Sequence, residues 1–265
     1  MCSKEYKNKS LSFFTFLLMS FSVLFSCSEE EKKATKDKKS KMSFEERAKR
    51  AVEAELDINA TEEYGIEIHK KHLDRDTIED AVILVNREKW AYKRAEKQGN
   101  MKFLKKLGYV GPYNNVFVYI GKSDKFVPTP AIGSAAKHPL DIDFKSITTP
   151  SQKDFYVNYR IRNSMHRNYY TIRGDRVYLT FNCPVFDSIG EENPVIYDIK
   201  HTESSIRLAK DIGLFKAEIP NYNPQQIEDP NSYKPDSIVG TDELFVFFIF
   251  DESKMSYVTP MTREK

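Results

Sequence analysis

The spacing of apolar and polar positions divides the chain into a segment that mixes helices with one strand, up to about residue 108, and a strand-rich remainder. Residues 11–26 (LSFFTFLLMSFSVLFS) form an uncharged apolar run of 16 residues, short of the roughly 20 that a spanning helix needs. Residues 28–42 are almost devoid of apolar side chains and cannot bury a core, so they read as a disordered tether. The order Ser43-Phe44-Glu45-Glu46 has the spacing of a capping box, and Phe44, Ala48, Ala51, Val52 and Leu56 then recur at helical period. The folded domain is therefore expected to start near residue 43. Ala81-Val-Ile-Leu-Val85 is an apolar run of strand length, expected to be buried on both faces. Residues 87–107 predict a helix or a helix pair broken near Gly99-Asn100, with Gly108 as the stop.

From residue 115 the period changes to two. Val116–Ile120 and Phe126-Val127 flank Gly121–Lys125, a hairpin signal. In Asp154–Arg162 the alternation of Phe155, Val157, Tyr159 and Ile161 predicts a strand buried on one face only. Tyr169–Ile172 and Val177–Phe181 flank another short turn, and Val195–Ile199 and Leu244–Phe250 are further strands. Residues 220–237 contain four prolines and read as an irregular loop, long enough to suspect function. Val116–Pro130 and Val246–Pro260 echo each other faintly, which two hairpins of one type explain as well as a duplication does. The expected architecture is α+β: one globular domain over residues 43–265, mainly antiparallel β, with N-terminal and inserted helices.

Three lysines, Lys4, Lys7 and Lys9, precede the first apolar run, giving it the n-region and h-region of a secretory signal. Its end, Leu24-Phe25-Ser26-Cys27, resembles the lipobox of bacterial lipoproteins, with Phe25 bulkier than the usual residue at its position. The resemblance implies a signal peptide over residues 1–26. It also implies a diacylglycerol thioether on Cys27, usually with a further acyl chain such as palmitate on the new amino group, anchoring the protein to the lipid bilayer. Ser28-Glu29-Glu30-Glu31 is similar to the export signal that sends Bacteroidetes-type lipoproteins to the outer face of the outer membrane. The plainer reading of that charge run is a solvated spacer, which leaves the periplasmic face open. The expected location is the outer membrane, lipid-anchored, at the cell surface.

Charge and cysteine usage narrow the classes. Removing Lys4, Lys7, Lys9 and Glu5 from 41 basic and 39 acidic residues leaves 38 of each from Cys27 onward, so nothing electrostatic favours a nucleic-acid partner. Of three cysteines, Cys2 lies in the expected signal peptide and Cys27 carries lipid, leaving Cys183 without a disulfide partner. It sits in Leu179-Thr-Phe-Asn-Cys-Pro-Val, read as a strand end, and is expected to be a packed thiol.

Candidate chemistry concentrates in His72-Leu-Asp74-Arg-Asp76-Thr-Ile-Glu79-Asp80, which runs into the apolar strand. It resembles the calcium loop of FG-GAP or VCBS-type repeats, in which alternating carboxylates wrap a hard cation that wants six to eight oxygens. Only Asp74, Asp76 and Asp80 align as ligands. His72 replaces an acid, and Arg75 and Thr77 stand where the family has glycines. The alternative is a loop held by side-chain hydrogen bonds and an Arg75 ion pair, with no cofactor. Arg173-Gly174-Asp175 invites an adhesion reading, but Gly-Asp between alternating segments is what a two-residue hairpin turn demands. The histidines at 69, 72, 138, 166 and 201 lack zinc spacing. The expectation is a non-enzymatic surface lipoprotein that binds a protein or glycan or serves the envelope. The alternative is an envelope hydrolase acting on glycans with acids such as Asp141, Asp143, Asp187 or Asp198, which would need paired carboxylates about 5–10 Å apart.

Overall fold

The computed structural model describes residues 42–260, and the chain divides into two compact units, 1–50 and 51–265. The expected signal peptide, Cys27, the acidic Ser28–Glu31 and the tether as far as residue 41 lie outside the described residues.

The first unit is described from residue 42, where it carries the start of helix α1 (Phe44–Glu55). The Ser43 amide donates to the Glu46 carboxylate at 2.9 Å and the Glu46 amide donates to Ser43 Oγ at 3.1 Å. This reciprocal pair satisfies two amides that a helix start leaves without partners, as the Ser-x-x-Glu spacing predicts.

The second unit is α+β and mainly antiparallel β. Strands β1 (Gly65–Lys71), β2 (Asp80–Asn86), β3 (Val110–Ile120) and β4 (Lys125–Pro128) form one sheet in sequential order, and β5 (Ile132–Ala135) pairs with β3. Strand β2 contains the apolar run: Ala81 to Val85 are all buried, flanked by β1 and β3. Helices α2 (Glu88–Lys97) and α3 (Met101–Lys106) interrupt the sheet between β2 and β3. They are separated near Gly99 and stopped at Gly108, both left-handed with φ of 69°, a conformation that glycine adopts without penalty. Around Trp90, Ala91 and Ala95 form the buried stripe, while Arg87 and Arg94 stack on the indole and Arg87 makes a two-pronged ion pair with Glu62.

The second sheet is an eight-stranded meander of β6 (Asp141–Lys145), β7 (Asp154–Ile161), β8 (Ser164–Arg173), β9 (Arg176–Asp187), β10 (Val195–Thr202), β11 (Asp211–Glu218), β12 (Val239–Asp251) and β13 (Ser256–Val258). Every strand pairs with its chain neighbour, so most connections are short; the proline-rich segment between β11 and β12 is the long exception. Both echoing segments are antiparallel hairpins, β3–β4 and β12–β13.

Two packing layers share the meander. Val82, Leu84, Val116 and Val118 of the first sheet meet Phe155, Val157, Tyr170 and Ile172 of β7 and β8. On the opposite face Tyr156 and Tyr169 join Cys183, Tyr197, Ile212, Leu214 and Tyr257. The Phe181 ring is 4.5 Å from Phe248 and 5.7 Å from Tyr257, so the end of the meander curls back over β9. Two expectations are corrected by this curl. Strand β7 is covered on both faces, with Tyr156 and Arg160 buried as well as Phe155 and Val157. Cys183 lies well inside β9 rather than at a strand end, in the second core, as a packed thiol.

Candidate functional site

Residues 72–79 connect β1 to β2, and the loop is organised by its own carboxylates. Asp80 is 1% exposed; its Oδ2 accepts the Leu73 amide at 3.0 Å and its Oδ1 accepts the Gly121 amide at 2.9 Å. Burial pushes the Asp80 carboxyl above its ordinary range, against the pull of these two amides. The Gly121 contact is close: a Cβ there would stand 2.4 Å from the Glu79 carbonyl oxygen, so only glycine lets the β3–β4 turn approach. Asp74 Oδ1 accepts the Asp76 amide and Asp76 Oδ1 accepts the Ile78 amide, both at 2.8 Å, two consecutive Asx turns. His72 Nδ1 is 3.3 Å from the Ile78 carbonyl. Arg75 reaches Thr149 Oγ1 at 3.4 Å, in place of the ion pair expected for the hydrogen-bonded alternative. Four oxygens that a cation would claim are thus engaged with backbone amides, and among the described residues no group of three His, Cys, Asp or Glu is gathered to hold a metal ion.

A cleft of about 720 Å³, open to solvent, lies beside this loop. Asp74, Arg75 and Asp76 form one wall, the Arg173-Gly174-Asp175 turn another, and Lys122, Glu252 and the apolar Leu208, Phe250 and Met255 complete the rim. Gly174 has φ of 56° and Arg173 pairs with Arg176, so Gly174-Asp175 is the expected two-residue turn. Arg173 folds into the cleft floor, donating to Thr171 Oγ1 at 2.9 Å and Thr148 Oγ1 at 3.0 Å, while Asp175 pairs with Lys125 at 2.6 Å. The floor is a buried network: Asp154 accepts from the Ile147 amide (2.9 Å), the Thr148 amide (2.6 Å) and Thr148 Oγ1 (2.8 Å), and Gln152 donates to Thr171 at 2.9 Å. Satisfied networks of this kind fix side-chain positions, so Arg173 and Asp154 are held in place before any ligand arrives.

The acids considered for hydrolysis lie on three strands, and only Asp141 and Asp143, two residues apart on one face of β6, are neighbours. Asp141 and Asp143 lie on β6, Asp187 on β9 and Asp198 on β10. Tyr156 donates to Asp143 at 2.7 Å, and this bond holds the Asp143 carboxyl below its usual range, the reverse of what a general acid needs. Asn158 donates to Asp141 at 3.0 Å, the Ser188 amide to Asp187 at 2.8 Å, and Asp198 lies 3.6 Å from Lys200.

Burial pushes the Cys183 thiol up to about 12, away from thiolate chemistry. The histidines do not converge: His69 lies 6.2 Å from the Phe144 ring and His166 stacks on Tyr159. One polar chain in the second core has no local signature in the sequence. Arg167 lies 4.1 Å from the Tyr156 ring centre and donates to Tyr169 Oη at 3.4 Å, which in turn lies 3.0 Å from His201 Nε2. Burial first, then the cations Lys145, Arg167 and Lys210, lowers His201 to about 3, so the imidazole is neutral. Strand alternation brings these groups together from β7, β8 and β10, which pairing alone defines.

Among the described residues no helix is long and apolar enough to cross a membrane. Compared with known proteins, the chain matches no family model, no curated protein and no solved structure.

Proposed function

We propose that the protein is a lipoprotein anchored through acylated Cys27 to the outer membrane and displayed at the cell surface, where its β-rich domain binds a polar ligand rather than transforming one. The observation that carries the binding role is the rigid cleft in which the Asp loop and the Gly174-Asp175 turn meet. Arg173 and the polar groups of the cleft floor are fixed by hydrogen bonds to the fold, which lowers the ordering cost of binding. A mixed-sign cleft of this size suits a small zwitterionic or polyhydroxylated solute. The anchor rests on the Leu24–Cys27 lipobox and the export step on Ser28–Glu31.

The test labels cells with a palmitate analogue. The wild-type protein is expected to incorporate it, Cys27→Ser to lose it, and a Glu29, Glu30 and Glu31→Ala variant to keep the lipid yet become protected from protease added to intact cells. Label retained by Cys27→Ser would refute the anchor. Unchanged protease access in the triple variant would refute the export signal.

A further inference from the structure

A second cleft, about 420 Å³, opens where the end of α3, the residues just after β5 and the proline-rich loop meet. We propose that it binds a dianionic phosphate group, carried on a small molecule or a lipid headgroup. The inference rests on the reading of the domain as a binder and gives that role a second location and a ligand class.

Charge is the first observation. Lys102, Lys105, Lys106, Lys137 and Arg162 line the cleft against one carboxylate, Asp229. That carboxylate is already committed: it accepts from Ser232 Oγ at 2.6 Å and the Asn231 amide at 3.1 Å, and lies 3.5 Å from Lys137. The chain from Cys27 onward carries equal numbers of acids and bases, so five cations around one concavity are a local excess that a monoanion would leave largely uncompensated. Lysines act as point charges and suit a tetrahedral oxyanion without planar registration.

The second observation is construction. Arg160, 5% exposed, donates to the carbonyls of Tyr233 (2.8 Å), Pro230 (3.0 Å) and Asn231 (3.2 Å). Asn231 Nδ2 donates to the Lys106 carbonyl at 3.0 Å and Lys137 to Ser232 Oγ at 2.8 Å. A segment that reads as irregular from its four prolines, and whose one regular element is a single 3-10 turn at Pro224–Gln226, is therefore pinned as a wall. The third observation is polar capacity left unused. Tyr109, 2% exposed, stacks on Tyr92 with ring centres 4.2 Å apart, but its hydroxyl makes no hydrogen bond of standard geometry. Nε2 of His138 is likewise enclosed without a partner. Both residues line the cleft. Buried polar atoms are nearly always paired in a finished interior, so these two mark the wall of the cleft as incompletely satisfied.

The experiment titrates the full-length protein with glucose 6-phosphate, following heat and the phosphorus resonance, with glucose as the control. The expected dissociation constant is about 0.1 mM, with no binding of glucose and weakening as salt is raised. A Lys105→Gln, Lys106→Gln, Arg162→Gln variant removes exposed charges only, so its melting temperature is expected to hold while affinity falls at least about tenfold. Flotation of the Cys27→Ser protein, which lacks the acyl chains that would float it on any vesicle, with phosphatidylcholine vesicles with and without phosphatidic acid separates the two sources. Capture that requires phosphatidic acid supports a headgroup, and soluble binding without capture supports a small molecule. Failure to bind either probe, equal affinity for glucose, or unchanged affinity in the triple variant would overturn the site. Release of inorganic phosphate would instead overturn the non-enzymatic reading while leaving the phosphate site standing.

Discussion

Replacing Asp80 by alanine removes the group that ties the β1–β2 loop to the β3–β4 turn. Two amides, those of Leu73 and Gly121, lose their acceptor next to a loop whose Leu73 is fully buried. An unsatisfied buried amide costs about 1–3 kcal/mol, so the pair amounts to about 2–6 kcal/mol. Part is offset, because burying an ionisable carboxyl is itself unfavourable, as its raised titration range shows. The net expectation is a loss of about 3 kcal/mol, or about 6–12 °C in melting temperature for a domain of this size. Asp80→Asn keeps one acceptor but turns an NH2 toward a donor, so it should fall between wild type and alanine. Thermal and urea unfolding followed by circular dichroism measures all three, each with EDTA and with calcium. Because the loop oxygens already bond to amides, chelation is expected to leave the wild-type melting temperature unchanged. A calcium ion held in the loop would instead add about 2.7 kcal/mol at a hundredfold excess over Kd. A drop on chelation that calcium restores and Asp74→Asn abolishes would refute this account, as would an Asp80→Ala protein within about 0.5 kcal/mol of wild type.

His201 predicts a pH dependence. Its folded value of about 3 lies below the ordinary 6.5, so the unfolded chain binds the proton more tightly, and the stability held above pH 6.5 is lost as pH falls from there toward 3. Between pH 7 and pH 5 this one group is expected to cost about 2 kcal/mol in urea unfolding, and His201→Gln should remove that part of the slope; an unchanged slope would count against it. Cys183, with its thiol pushed up to about 12, is expected to resist iodoacetamide at pH 8 in the native protein and to react once urea unfolds it. Rapid native labelling would contradict its place in the core.

What was legible in the sequence is what neighbouring residues decide. The Ser43–Glu46 cap, the helix break at Gly99, the stop at Gly108, the buried run Ala81–Val85 and the turn at Gly174-Asp175 all follow from hydrogen-bond reach and backbone freedom within a few positions. The mainly antiparallel architecture follows too, since short connections join consecutive strands. The carboxylates of the Asp loop were legible as a group, but their use was not: Gly121, which takes one Asp80 oxygen, is 41 positions away.

Tertiary structure alone decided which faces were covered and which loops met. A period of two distinguishes the faces of β7 but cannot say that the curled meander and the proline-rich loop bury the second one, covering Tyr156 and Arg160 respectively. It cannot say that Arg160 pins the carbonyls of Pro230 and Asn231 some 70 positions on, or that Lys105 and Arg162 share a cleft. Side-chain alternation is a local property of the backbone, whereas curvature and loop convergence depend on pairing register summed over eight strands, and no single segment encodes that sum.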